Sequence, residues 1–390
     1  MKDIDSKLRT RLVHGVGAAD RVGELAAELG AKRVLLVTDR HIVEAGHSER
    51  VERSLSEAGR AFRTYDRAHS NPTTADVDAC LAFAREEDFD LFVGLGGGSA
   101  VDTAKGCNFL LTNGGRMEDY WGVGKAPKDM LPLIAVPTTA GTGTEVQSFA
   151  LIAQVDSHQK MACGDPKAAP RVAVLDPTLT VTQPLFVTAC TGLDALVHAV
   201  ETAVTRKRND VSQHFSQDAF RLLDSNLPRV LSDPEDLDAR GSMLWGAAYA
   251  GLAIENSMLG AAHSMANPLS AHFDVTHGQA VGTVLPFVVR FNAAEPGTAR
   301  LYAELARSAG LAAGSDGDDD EAVEALITRL RAHLVAAGMP TSLAGCNVGS
   351  DAIDELAAEA ARQWTARFNP REVSVADFRD LFTQACDDAA

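Results

Sequence analysis

Up to Gln183 the chain alternates short, almost wholly apolar runs with longer segments whose apolar positions recur at helical spacing. The apolar runs are residues 34–38 (VLLVT), 91–95 (LFVGL), 133–136 (LIAV) and 172–175 (VAVL). They lack polar alternation, the pattern of strands covered on both faces. Helical spacing fills residues 18–29, 43–58, 74–87 and 99–111, so the order predicts a parallel α/β sheet. One hairpin is expected to interrupt it, because ALIAQV and HQKMAC flank the turn-forming pair Asp156 and Ser157.

Beyond Gln183 and Pro184 the strand pattern stops. Helical periodicity then covers residues 186–204, 211–223, 243–259, 298–309, 321–337, 353–362 and 375–387. The change predicts an α/β domain over residues 1–183 and an all-α domain over 184–390. Two domains also suit 390 residues, since one core serves roughly 150.

Composition narrows the partners. A hydrophobic fraction of 46% with 23% charged residues is that of an ordinary globular protein. A net charge of −17 repels nucleic-acid phosphates and anionic lipid headgroups, which leaves a small molecule as the expected partner, with no nucleic acid and no membrane. Cys80, Cys107, Cys163, Cys190, Cys346 and Cys386 form no C-x-x-C pair, and MKDIDSKLRTR has no apolar signal region. With no apolar run judged long enough to span a bilayer, a reducing cytoplasm is the expected compartment. The acidic run from Ser315 to Glu321 lacks EF-hand ligand alternation and reads as a solvated loop feeding a helix N-terminus.

Chemistry concentrates in three places. Asp194 and His198 stand four apart within TGLDALVHAVETAV, so both share one helix face, and His263 and His277 follow in GAAHSMANPL and VTHGQAVG. One carboxylate and three imidazoles make a divalent-metal constellation. Second, LFVGL runs into Gly96, Gly97, Gly98 and Ser99 and then a helix bearing Asp102. Strand, Gly-rich turn and helix start form an anion-binding arrangement that suits a pyrophosphate, although Ser99 and Asp102 also fit a capping box. Third, LIAV leads into a Gly/Thr-rich turn with Thr138, Thr139 and Thr142, whose hydroxyls can bond phosphate or ribose; Thr142 and Glu145 likewise fit a capping box. Such turns at neighbouring strand ends would converge on one crevice. Asp39 ends VLLVT, where a carboxylate would accept from ribose hydroxyls and repel a 2′-phosphate, favouring NAD over NADP; an exposed acid at a strand end also serves loop solvation.

Together GGGSAVDTAK, PTTAGTGTE, the LDP at residues 175–177, the D-x-x-x-H pair and the two later histidines resemble the iron-containing (group III) alcohol dehydrogenases over essentially the whole length. The resemblance implies a Rossmann-like N-terminal nucleotide-binding α/β domain and an all-α C-terminal metal-binding domain, of dehydroquinate synthase-like architecture, with cofactor and metal in the cleft between them. It makes Asp194, His198, His263 and His277 the metal ligands and, through the metal, the catalytic residues. It assigns Gly97, Gly98, Ser99 and Asp102 to the pyrophosphate loop, Thr138, Thr139 and Thr142 to a second cofactor loop, and Asn71, Lys160 and Leu179 to further cofactor contacts. It implies NAD(H), one divalent metal with Fe(II) favoured and Zn(II) acceptable, and a homo-oligomer, dimer or higher. The expected reaction is hydride transfer between nicotinamide and a small alcohol or aldehyde. Non-redox dehydroquinate-synthase-like lyases and glycerol-phosphate-type dehydrogenases are the alternatives.

One position departs from the family pattern: many members carry a histidine four residues after the third ligand, where this chain has Asn267. Asparagine cannot titrate, which leaves Asn267 an orienting role; the proton then leaves by ribose hydroxyls and water, or another group such as His272 serves, or the substrate differs. The apolar Phe149, Ile254 and Met258 suit a small aliphatic substrate, and core packing explains them equally well.

Overall fold

A computed structural model describes residues 8–156, 159–313 and 317–387. The chain divides after Gln183 into two compact units.

The first unit carries strands β1 (Arg11–His14), β2 (Arg33–Val37), β3 (Ala61–Tyr65), β4 (Leu91–Gly96), β5 (Gly122–Val123), β6 (Leu133–Pro137), β7 (Phe149–Ala153), β8 (Lys160–Gly164) and β9 (Val172–Leu175). Its helices are α1 (Val22–Glu28), α2 (Arg40–Glu44), α3 (His47–Glu57), α4 (Thr74–Ala84) and α5 (Gly98–Asn113). Six strands form a parallel sheet in the order β1-β9-β6-β4-β2-β3. Adjacent residues of one strand enter different cores: Leu35, Val37 and Phe92 pack on one face, Val34, Leu36, Leu91 and Val93 on the other. Double coverage is the physical reason those strands carry no polar alternation.

The chain goes from β2 to β3 on one side and then to β4 on the other. That reversal makes the carboxyl ends of β2 and β4 a topological switch point, where open α/β sheets bind ligands. The expected hairpin forms, β7 running antiparallel to β8 with Ala153 opposite Lys160, beside β5 in a three-stranded sheet; Ser157 of its turn lies outside the described residues.

The second unit is helical among its described residues: α6 (Leu185–Val204), α7 (Asp210–Ser232), α8 (Leu237–Asn256), α9 (Ala261–Phe273), α10 (His277–Ala293), α11 (Pro296–Ser308), α12 (Asp319–Ala336), α13 (Ile353–Arg362) and α14 (Val375–Asp387). Of the acidic run, Ser315 and Asp316 lie outside the described residues, while Asp318 caps α12 by accepting from the Asp320 N–H. The sequence expectation that no run is apolar enough to span a bilayer is corrected by α6, which reaches that length and hydropathy. Its apolar window is 78% buried inside the protein, and it carries the buried Asp194, His198 and Glu201. The packing is that of a core helix.

Candidate active site

In the helical unit, three helices deliver the expected metal-ligating side chains. Asp194 and His198, one turn apart on α6, share a face, and the His198 Nε2 lies 3.3 Å from the Asp194 Oδ1. The same oxygen lies 3.5 Å from the His263 Nε2 and 3.7 Å from the His277 Nε2. Ligand atoms of Asp194, His263 and His277 all fall within 4.8 Å of one another. The His198 and His263 rings stack with centroids 4.9 Å apart, and His263 and His277 tilt at 5.3 Å.

Local sequence explains the convergence. A Cβ on Gly278 would lie 1.9 Å from the Cys190 carbonyl oxygen, so only glycine lets the start of α10, with His277, rest on α6. His263 sits in the first turn of α9, whose N-cap is Gly260. Glu201, two turns along α6 from Asp194, accepts from the Gly260 N–H at 3.1 Å, the Ala262 N–H at 2.7 Å and the His263 Nδ1 at 2.6 Å.

The arrangement calls for a cation. Burial alone would raise the Asp194 carboxyl, but the imidazoles of His198, His263 and His277 outweigh it and hold the group well below the usual carboxylate range. Burial works against a charged His263, yet the Glu201 and Asp194 carboxylates push its pKa up to about 9. The buried Asp194 Oδ1 and His263 Nε2 have no hydrogen-bond partner, a costly state for such atoms unless another group meets them. Nitrogen and carboxylate donors without thiolate suit Fe(II), Zn(II), Co(II) or Mn(II).

Asn267 lies one turn beyond His263, half-buried, and its Nδ2 donates to the Gln363 Oε1 at 3.0 Å. His272 is exposed and paired with Glu359. Ile254 and Met258 are buried with the core.

In the sheet unit, the two Gly-rich turns meet at the switch point. Gly96, at φ 145°, has a Cβ position 3.3 Å from the Asp39 Oδ2 and 2.9 Å from the Ala100 Cβ. A side chain there would fill the space between the ends of β2 and β4. A Cβ on Gly98 would lie 2.7 Å from the Thr142 Oγ1, and one on Gly97 3.4 Å from the Thr139 Cγ2, so the loops touch through absent side chains. Thr138 ties them further by donating its N–H to the Gly96 carbonyl. The Asn71 N–H donates to the Ser99 Oγ at 3.2 Å, which brings a fourth segment to the same place. The Asp39 Oδ1 caps α2 by accepting from the Ile42 N–H.

Both capping-box readings are corrected. The N-cap of α5 is Gly97, with no side-chain cap, which leaves the positive end of a 16-residue helix for an anion. Asp102 is buried and accepts from the Thr144 Oγ1 at 2.6 Å. Its carboxyl is raised by burial, opposed by the charges of Lys105 and Lys160. Asp102 therefore stands behind the loop as its support. Thr142 and Glu145 do not pair either: Thr142 is exposed, while Glu145 is buried with Oε1 unpartnered. Burial raises the Glu145 carboxyl to about 7. Leu179 is wholly buried in the core of one sheet face. Lys160 is half-buried at the start of β8, and Phe149 half-buried at the start of β7.

Sequence reasoning missed two supports. Glu201 reads as an ordinary helix acid, yet its spacing of three from His198 and seven from Asp194 places it on their face. Lys105 looks like a solvated helix lysine, but its buried Nζ donates to the Thr144 Oγ1 and the carbonyls of Thr144, Gln147 and Phe149 at 2.7–2.9 Å, clamping the second loop.

Comparison with known proteins agrees with this geometry. Residues 9–177 match the iron-containing alcohol dehydrogenase family, and residues 188–386 the C-terminal part of the Fe-containing alcohol dehydrogenase family. The chain is 33% identical over 378 residues to an NAD-dependent methanol dehydrogenase of Bacillus methanolicus, covering 96% of this chain and 97% of that one. It is 33% identical over 376 residues to a 1,3-propanediol dehydrogenase of Klebsiella pneumoniae, covering 95% and 96%. The structure of a 1,3-propanediol oxidoreductase superposes with a TM-score of 0.93 at 30% identity, over 98% of this chain and 100% of that one. An α/β sheet unit followed by a helical unit is their shared plan, and the chain belongs to the iron-containing alcohol dehydrogenase family of oxidoreductases.

Proposed function

We propose that the chain is an NAD(H)-linked, metal-dependent dehydrogenase that interconverts small alcohols and aldehydes. The observation that carries this reading is the buried Asp194 Oδ1, which has no hydrogen-bond partner and lies 3.3–3.7 Å from three imidazole nitrogens. Asp194, His198, His263 and His277 would hold the metal, with Fe(II) favoured by the family and Zn(II) acceptable to the same donors. A bound dication supplies Lewis acidity to the substrate oxygen, lowering the barrier to hydride exchange at the carbon beside it.

The other steps belong to the chain's own residues. Asp39, beside Gly96 at the switch point, accepts from the adenosine ribose hydroxyls and repels a 2′-phosphate. Gly97, Gly98 and Ser99 present the open N-terminus of α5 to the pyrophosphate, and Thr138, Thr139 and Thr142 line the opposite side. Asn71, whose N–H already bonds the Ser99 Oγ, and Lys160, whose charge acts on Asp102 behind the loop, would add polar contacts. Asn267 orients substrate through an amide that neither gains nor loses a proton, so proton exchange falls to ribose hydroxyls and water. The reading extends to a homo-oligomer in a reducing cytoplasm, consistent with six cysteines that are all free thiols.

Steady-state assays with NADH across a panel of short aldehydes, run beside metal analysis, test the proposal. Turnover with NADH that follows metal content supports it; undiminished turnover in the metal-free protein would overturn it.

A further inference from the structure

Resting on that metal-site reading, we propose that Glu201 is a positioning residue that sets which nitrogen of His263 faces the metal. The argument is one of donors and acceptors. An ionised carboxylate only accepts. Glu201 Oε2, 2.6 Å from the His263 Nδ1, therefore keeps an imidazole hydrogen on Nδ1 and leaves Nε2 as the nitrogen open to a metal. That Nε2 is the buried atom turned toward Asp194.

The carboxylate is itself held on both oxygens. Oε1 accepts from the Ala262 N–H and Oε2 from the Gly260 N–H, so the first turn of α9 and the imidazole it carries are referenced to one group on α6. The positive end of the helix favours a negative charge at that spot. The N–H between them, that of Ala261, goes to the Asn369 Oδ1 at 3.2 Å. Asn369 is in turn locked to Asn292 of α10 by a reciprocal amide pair, at 2.7 and 3.2 Å. Gly260 completes the seat, since a Cβ there would stand 3.0 Å from the Asn369 Oδ1 and 3.1 Å from the Glu201 Oε1. Glu201 and Asn369 thus accept from the N–H groups of Gly260, Ala261 and Ala262, and of the two Glu201 reaches the ring.

Glu201→Gln separates positioning from packing. A glutamine keeps the size and one acceptor, and with that oxygen on the Ala262 N–H its NH2 takes the place of Oε2, facing the His263 Nδ1 and the Gly260 N–H. The imidazole hydrogen then moves to Nε2, where it opposes the metal. Glu201→Asp keeps an accepting carboxylate on a shorter arm.

The test is titration of the chelated, metal-free full-length protein with Co(II), read by its visible d–d absorption, with thermal unfolding of each metal-free form as the structural control. Glu201→Gln is expected to bind Co(II) about 10–100-fold more weakly than the parent with an altered band shape, and Glu201→Asp to lose less. Co(II) affinity within about twofold of the parent in both variants, with His263→Ala clearly weakened, would overturn the positioning role and leave the metal site standing. If His263→Ala binds Co(II) as the parent does, the metal-site reading itself fails. Should Glu201→Gln not fold, the aspartate variant decides alone: a measurable loss supports the role and parental affinity overturns it.

Discussion

Gly278 rests on the carbonyl of Cys190 so closely that a single added methyl carbon would stand 1.9 Å from that oxygen. The contact is backbone to backbone across α6 and α10, and it sets the distance from His277 to Asp194. Gly278→Ala must push the two helices apart. We expect a loss of about 1–3 kcal/mol, the usual cost of overpacking, together with reduced metal content. Thermal unfolding with and without metal checks this, and an unchanged Tm at full metal occupancy would contradict it.

Asp39 and Gly96 predict the coenzyme preference. With the carboxylate 3.3 Å from the Gly96 Cβ position, a 2′-phosphate entering there meets a like charge. Asp39→Gly should raise the efficiency ratio of NADPH to NADH by about tenfold, ~1.4 kcal/mol. Its helix-cap loss should cost only a few tenths of a kcal/mol. Steady-state kinetics with both coenzymes decides; equal efficiency with NADPH in the parent would remove the basis for the assignment.

Gly98 predicts a binding defect with little loss of stability. Its added Cβ would meet both γ atoms of Thr142 below 3 Å, so rotation of that side chain gives no relief and the second loop must shift. Gly98→Ala should weaken NADH binding by about tenfold, a loss of ~1.4 kcal/mol. Fluorescence titration of NADH measures it, and parental affinity would show that the loops do not grip the dinucleotide.

Glu145 gives a pH signature to the sheet unit. Burial, aided by Asp102 and opposed by Lys105, places its carboxyl at about 7 against an ordinary 4.5. The folded state binds the proton more tightly than the unfolded state, so the contribution is fully present below about 4.5 and is lost as pH rises to about 7. Glu145→Gln should flatten the fall in Tm across that window. An identical slope in parent and variant would contradict the prediction.

The central strands were legible because burial on both faces removes polar alternation, as in VLLVT and LFVGL. The edge strands β1 and β3 were not: RLVH and AFRTY mix charged and apolar residues, since each pairs on one side only. Helices α9 and α10, which carry two of the site's histidines, give no clean periodic range because Pro268 and Pro286 lie within them, although the one-turn spacing of His263 and Asn267 is readable. Asp194 and His198 could be read as a pair from local spacing alone. That Glu201 reaches His263, and Asp102 reaches Thr144, depends on packing between elements far apart in sequence, which no local pattern records. The capping-box expectations failed for the same reason, because Asp102 and Glu145 are buried in the support behind the loops.

The most direct measurement is metal content by elemental analysis, alongside NADH-dependent aldehyde reduction, in the parent and in Asp194→Ala. The account predicts near-stoichiometric metal in the parent, little in the variant, and a drop in turnover on the order of a thousandfold, several kcal/mol of lost electrostatic stabilisation. A variant that keeps parental turnover without metal would contradict it.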